Sequence, residues 1–265
     1  MKTTIFYFSA TGNSLHAARL LAEGLGETVL LSMAGPSKNN RITVDTPAVG
    51  FVFPTHYFGL PPVVRECVQA LELKGDQYIF AVNTCGSRYI NSGLTQLAQL
   101  LREKGSKLDF GDHVEMVSSY IPLSDLPPPA KQQKRLYKAD QKLQKMAKSI
   151  LDRKKKDGSE YLKGIADRIN RYWIRNLLPK ADSTFSCSSD CTSCGICEKV
   201  CPVDNIRLTN GRPKWQQHCQ ECLACLHFCP VKSIQFGKKT AGRRRYKHPA
   251  VHVSDMIQGK AGVFR

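Results

Sequence analysis

The chain has 265 residues, 42% of them hydrophobic and 23% charged, with 39 Lys/Arg against 22 Asp/Glu for a formal charge of +17. That balance is ordinary for a globular protein, excludes collagen-like and wholly disordered classes, and at this length allows one large domain or two modest ones. No apolar run approaches the roughly 20 residues of a membrane span, and the apolar start after Lys2 soon meets Ser9 and Gly12, so neither a transmembrane helix nor a signal peptide is expected.

In chain order, residues 1–8 are dense in β-branched and aromatic side chains (Thr3 to Phe8), as a strand buried on both faces should be. Leu15, Ala18, Leu21, Ala22 and Leu25 then follow helical spacing, stopping near Gly24 and Gly26. Further strands are expected at 28–31, 48–53, 78–83 and 113–118, with helices near 62–73 and 92–104. Such βαβ alternation predicts a parallel sheet. The segment 34–47 lacks a helical period, which predicts a short or irregular crossover.

From 131 to 150 the apolar positions Leu136, Ala139, Leu143, Met146, Ala147 and Ile150 form one helical stripe, placed to be the last helix of the sheet domain. A second stripe runs through Leu162, Ile165, Ala166, Ile169, Trp173 and Leu177; both are read as surface helices with solvated basic faces, with a dedicated partner-docking role as the alternative. The interruption 154–159, with Asp157-Gly158, is the expected flexible point. Charge concentrates in this connector and in the tail. Residues 128–182 hold 16 Lys/Arg against 6 Asp/Glu and residues 238–265 hold 8 against 1, while the rest balances at 15 against 15.

Nine of the eleven cysteines lie between Cys187 and Cys229, with only Cys67 and Cys85 outside. An unexported chain resides in reducing conditions, where clustered thiols act as ligands more often than as disulfides. The run C-x2-C-x2-C-x3-C-P occurs twice, at Cys191, Cys194, Cys197, Cys201 and again 28 residues later at Cys219, Cys222, Cys225, Cys229. A zinc ribbon gives no reason for the third cysteine or for Cys-Pro twice. The radical S-adenosylmethionine spacing Cys187-x3-Cys191-x2-Cys194 would strand six well-spaced cysteines. The repeated run resembles a bacterial ferredoxin with two [4Fe-4S] clusters, in which the fourth cysteine of each run serves the other cluster. That resemblance implies one cluster on Cys191, Cys194, Cys197 and Cys229 and the other on Cys219, Cys222, Cys225 and Cys201. Cys187 is then a spare, structural thiol.

The first strand ends in Ser9-Ala10-Thr11-Gly12-Asn13-Ser14, leading straight into a helix. Hydroxyls of Ser9, Thr11 and Ser14, the Asn13 amide and free N–H groups at a helix N-terminus make a phosphate cradle that needs no Lys or Arg. The segment is similar to the flavodoxin loop that holds the phosphate of FMN. In the flavodoxin-like order 2-1-3-4-5 the flavin sits where strands 1 and 3 part. The strand ends to examine are therefore Pro54, Thr55, His56, Tyr57, Phe58 and Gly59, and Asn83, Thr84, Cys85, Gly86 and Tyr89. Tyr57, Phe58 and Tyr89 are candidates to stack on the isoalloxazine, with ordinary packing as the alternative. His56 is expected as a loop histidine and Cys85 as a small packing residue. These loops contain no Asp or Glu, and Arg88 is their only fixed charge.

With both motifs in one chain, the sequence resembles the flavodoxin–ferredoxin fusion proteins of anaerobic bacteria and archaea, the EFR-type ferredoxin family. The likeness extends to residues 242–249, Gly-Arg-Arg-Arg-Tyr-Lys-His-Pro. It implies a flavodoxin-like, doubly wound, five-stranded α/β domain over 1–153, a basic helical connector over 154–184, a small α+β two-[4Fe-4S] domain over 185–237 and a basic tail over 238–265. It also implies FMN and two clusters as cofactors, electron transfer in the cytoplasm, and a redox partner protein for which an acidic surface is expected. No catalytic side chain is assigned. A small-molecule acceptor at the flavin would make the chain a reductase; a docking protein would make it a carrier. Nucleic-acid binding, raised by the basic tail, is disfavoured because the connector's apolar stripes imply packing rather than a free basic arm.

Overall fold

The structure, a computed structural model, describes residues 1–34, 41–158 and 160–261. Its N-terminal part runs β1 (Thr3–Tyr7), α1 (Asn13–Leu25), β2 (Thr28–Ser32), β3 (Ile42–Thr43), β4 (Ala48–Pro54), α2 (Pro62–Ala70), β5 (Leu71–Glu72), β6 (Tyr78–Cys85), α3 (Gly93–Glu103), β7 (Phe110–Glu115) and α4 (Pro129–Leu151). Five strands form a wholly parallel sheet in the order β2-β1-β4-β6-β7, which is 2-1-3-4-5 by position in the sheet. Consecutive β1 side chains face opposite ways. Ile5 and Tyr7 enter one core with α1 and α4, and Phe6 and Phe8 enter the other with α2 and α3. Both faces are thus covered, which is why the strands read as continuous apolar runs.

The α4 stripe is buried at all six positions named above. One strand begins earlier than its pattern predicts. β7 starts at Phe110 because Gly111 and Asp112, turn-like in sequence, are held inside, Asp112 by Lys142 at 3.1 Å and Lys156 at 2.5 Å. The segment expected to flex is docked. The Lys156 backbone pairs with Asp109 and Gly111, and a Cβ on Gly158 would lie 2.6 Å from Leu94. Ser159, and residues 35–40 of the irregular crossover, lie outside the described residues.

The chain continues as α5 (Lys163–Tyr172), a π-helical turn at Trp173–Leu177, a 3-10 stretch at Leu178–Thr184, β8 (Phe185–Cys187), α6 (Ile196–Lys199), β9 (Ile206–Thr209), β10 (Arg212–Trp215), α7 (Ala224–Phe228), β11 (Ile234–Phe236) and α8 (Val253–Ala261). β8 pairs with β11 and β9 with β10, both antiparallel. The second stripe departs from its expected packing. Ala166 and Trp173 are buried, but Leu162, Ile165, Ile169 and Leu177 are exposed.

The two parts share a core. Leu223 and Leu226 sit in the same apolar cluster as Val114 and Ile121. The tail is committed as well. Arg243 donates to the Ile121 carbonyl, Arg244 reaches Asp125 at 3.2 Å, and Arg245 donates to the Ile234 carbonyl at 3.1 Å. Among the described residues no helix is long and apolar enough to cross a membrane.

Candidate functional site

The 28-residue repeat extends from sequence to backbone. Left-handed φ values recur at Ser193 and Glu221 (56° and 48°), Gly195 and Leu223 (73° and 62°), and Asp204 and Lys232 (55° and 54°). Only glycine takes this conformation freely; in a buried leucine it costs about 1–2 kcal/mol. Each loop curls around a cavity. Cys191, Cys194, Cys197 and Cys229 line the first, with about 320 Å³ of empty space. Cys201, Cys219, Cys222 and Cys225 line the second, with about 290 Å³. The eight thiols therefore divide across the two runs, three from one and the fourth from the other. Cys187 lines neither cavity; its sulfur lies 3.9 Å from Ser233 Oγ, which is itself 3.3 Å from Cys229.

Among the described residues no three or more His, Cys, Asp or Glu are disposed to hold a single metal ion. The thiols ring each cavity instead of meeting at a point, as a multi-iron core requires. The donor chemistry fits in two further ways. Trp215 lines the second cavity, and its buried indole N–H has no acceptor among the described residues, which a cluster sulfide would supply. Burial pushes Cys197 up to about 11 and Cys225 well above the ordinary thiol range, so these groups lose their protons only when cations enter.

The phosphate loop is built by Gly12, at φ 97°, which lets the chain turn from β1 into α1. Its side chains brace one another. Gly12 N–H donates to Ser9 Oγ at 3.1 Å, Thr11 Oγ lies 3.3 Å from Ser119 Oγ, Ser14 Oγ lies 2.7 Å from Thr84 Oγ, and the Asn13 amide donates to the Val117 carbonyl at 2.9 Å. The backbone is left open. α1 has no side-chain cap and no acid in its first turn, and the N–H groups of Asn13, Ser14 and Leu15 have no partner among the described residues. α3 contrasts with it: Asn91 takes the Gly93 N–H, and both Glu160 oxygens take those of Leu94 and Thr95 at 3.0 Å. An anion is the partner that α1 lacks, and the phosphate of FMN fits that chemistry. The tail covers the loop. His248 N–H donates to the Thr11 carbonyl at 2.8 Å, Tyr246 O–H to Asn13 at 2.7 Å, and the buried His248 Nε2 has no hydrogen-bond partner among the described residues.

At the ring end, His56 and Gly59 exchange backbone hydrogen bonds around Tyr57 and Phe58, both at left-handed φ (42° and 64°). This is the two-residue turn normally made by Asn-Gly, here closed by two aromatics. Ser92 N–H and O–H both donate to the Phe58 carbonyl, tying the turn to the loop that carries Tyr89. Asn83 and Thr84 lie beneath as braces: Asn83 Oδ1 accepts from Thr55 and Asn91 at 2.8 Å and meets His113 Nδ1 at 3.0 Å. Cys85 is buried and points its thiol toward the Val114 carbonyl, a packing role. Phe58 and Tyr89 are exposed at the rim beside Gly86.

Tyr57, a stacking candidate with ordinary packing as its alternative, packs against two aromatics of this chain. Trp173 stacks on it at 4.6 Å and 9°, and Tyr120 packs edge-on at 5.4 Å. The two loops contain no carboxylate of their own, but one reaches Tyr57 from elsewhere in the chain. Glu221, between cluster-run cysteines, accepts from Tyr120 O–H at 2.7 Å, Tyr57 O–H at 3.0 Å and Trp173 N–H at 3.0 Å. Burial pushes the Tyr57 phenol up to about 12, so it remains a donor. Asn170 of the same connector donates to the His56 carbonyl and takes a bond from Gln96. A Cβ on Gly59 would lie 2.4 Å from the Asn170 side chain. Gly59→Ala is therefore expected to cost about 1–3 kcal/mol, read as a lower urea midpoint, and Asn170→Ala in the same chain should recover part of it.

Residues 190–234 match a family model described as a 4Fe-4S dicluster domain. A search of curated proteins found no match. Among solved structures the chain is similar to a Streptococcus pneumonia TIGR4 flavodoxin, at 15% identity over 55% of this chain and 99% of that one, with a TM-score of 0.34. It is similar also to a Fusobacterium nucleatum flavodoxin variant bound to flavin mononucleotide, at 12% identity over 56% and 95%, with a TM-score of 0.36. For the rubredoxin oxygen:oxidoreductase of the anaerobe Desulfovibrio gigas the identity is 20%, the coverage 56% and 36%, and the TM-score 0.34, so this chain spans about a third of that one. The strand order and the matched motif together make this chain a flavodoxin-like α/β domain followed by a 4Fe-4S ferredoxin domain.

Proposed function

We propose that the chain is an electron-transfer iron–sulfur flavoprotein of the flavodoxin–ferredoxin fusion type, with two [4Fe-4S] clusters and one FMN. The single observation that carries this reading is the division of eight thiols between two cavities, crossed between the runs. Cys191, Cys194, Cys197 and Cys229 would hold one cluster, and Cys201, Cys219, Cys222 and Cys225 the other. The open N–H groups of α1, with Ser9, Thr11 and Asn13 around them, would hold the FMN phosphate; the rim of Phe58, Gly86 and Tyr89 would border the ring. When bound, clusters of this type pass single electrons, while a flavin stores two. The protein's own part is positioning. Glu221 ties the second cysteine loop to Tyr57 and Tyr120, so the two cofactor regions share one hydrogen-bonded junction that excludes water.

In this reading residues 1–153 are the flavin domain, 154–184 the connector, 185–237 the cluster domain and 238–265 the tail, working in the cytoplasm of an anaerobe with a redox partner protein. Anaerobic purification with iron, sulfide and flavin quantified should give about eight, eight and one per chain. Zinc in the thiol sites, or no retained FMN, would overturn it. Turnover of quinones or nitro compounds far above that of free FMN would make the chain a reductase rather than a carrier.

A further inference from the structure

The exposed stripe of α5 has no structural partner. Ile165, Ile169 and Tyr172, at i, i+4 and i+7, share a face that is 38–60% exposed. Ala166, Asn170 and Trp173, on the adjoining side, are buried. Along the stripe's edge, Arg168, Arg175 and Lys180 have no carboxylate partner among the described residues. The tail's arginines, by contrast, are spent on backbone carbonyls and on Asp125. This part of the connector therefore carries positive charge beside an apolar strip.

What adjoins the strip indicates its occupant. Trp173 donates to Glu221, and Glu221 stands between Cys219 and Cys222. Trp173 thus links this segment through Glu221 to the loop that carries two cysteines of the second cavity. We propose that this face of α5 is the docking surface for an acidic one-electron carrier protein, which passes one electron into or out of the second cavity with no bond made or broken. This rests on the reading that the cavities hold clusters. An apolar centre edged by charge is the anatomy of a transient protein complex, and the charge at its edge governs the rate of encounter. A second copy would bring the same positive charge and be repelled. A bilayer would gain nothing from the segment's link to the cavity.

The test uses the anaerobically reconstituted full chain and, as probe, a reduced acidic two-[4Fe-4S] ferredoxin in a stopped-flow instrument. The wild type should be reduced with a second-order rate that falls as salt rises. Arg168→Glu combined with Arg175→Glu should slow it at least about tenfold and remove most of the salt dependence. Ile165→Ser combined with Ile169→Ser should slow it with the salt dependence kept. Reduction by dithionite should be the same in all three proteins. If dithionite bleaches none of them, the cluster reading fails. If it bleaches all of them and the ferredoxin rates are also equal, the docking proposal alone is overturned. Two further results would overturn it: loss of cosedimentation with phosphatidylglycerol vesicles in the isoleucine variant at unchanged electron-transfer rate, or a wild-type dimer that this variant dissociates.

Discussion

Replacing Cys194 and Cys229 together by serine is expected to leave about four iron per chain, whereas replacing Cys194 and Cys201 should leave almost none. The pairs are chosen so that each removes one ligand from the first run and one fourth-position cysteine. Cys194 and Cys229 line the same cavity, so the double variant damages one site and spares its neighbour. Cys194 and Cys201 line different cavities, so the second double variant damages both. Had each run served its own cluster, the two outcomes would be exchanged. Iron and acid-labile sulfide per chain, measured after anaerobic reconstitution, give the answer without any activity assay. Circular dichroism of the α/β domain, whose two main cores lie around the parallel sheet, checks that a low iron count is not simply an unfolded chain. Equal counts for the two variants would rule out crossed ligation.

The parts of the molecule legible in sequence are those set by neighbours along the chain. The α4 stripe is buried position for position because one period of 3.6 residues decides it locally. The cysteine runs are legible for the same reason, since three ligands of each cavity come from a single loop. What escaped is set by the partner, not the period. The α5 stripe has the same spacing as that of α4, but a period says only that residues share a face, not that something covers it. Glu221 lies 164 residues from Tyr57, and the cluster motif around it hides its second role. The tail looked like free charge because the carbonyls of Ile121 and Leu126 that take its arginines carry no signature in the side-chain pattern. Two features offered a hint. Trp173 is a large aromatic in an otherwise basic connector, and Gly59 follows two aromatics where a turn would ordinarily use Asn-Gly.

Asn13→Asp should weaken FMN binding at least about a hundredfold while leaving riboflavin binding unchanged. The substitution is isosteric and stands at the first residue of α1, where the open N–H groups await an anion and no acid is present in the first turn. A carboxylate there takes up the role of the phosphate and repels it. A unit charge and a dianion held within one helical turn, roughly 5 Å, oppose each other by about 3–6 kcal/mol at effective dielectric constants of about 20–40. Two decades of affinity require only about 2.7 kcal/mol. Riboflavin lacks the phosphate and feels none of this, so the ratio of the two affinities isolates the loop from the ring rim. The apoprotein should keep its stability to within about 1 kcal/mol. The new charge gains about 0.3–1 kcal/mol from the helix dipole, and the lost amide bond to the Val117 carbonyl costs about the same. The Tyr246 hydroxyl keeps its acceptor, because the oxygen it meets is present in both residues. Equal weakening of FMN and riboflavin would mean that the loop had collapsed, and unchanged FMN binding would mean that the phosphate lies elsewhere. Either result would separate this helix N-terminus from the flavin while leaving the thiol cavities untouched.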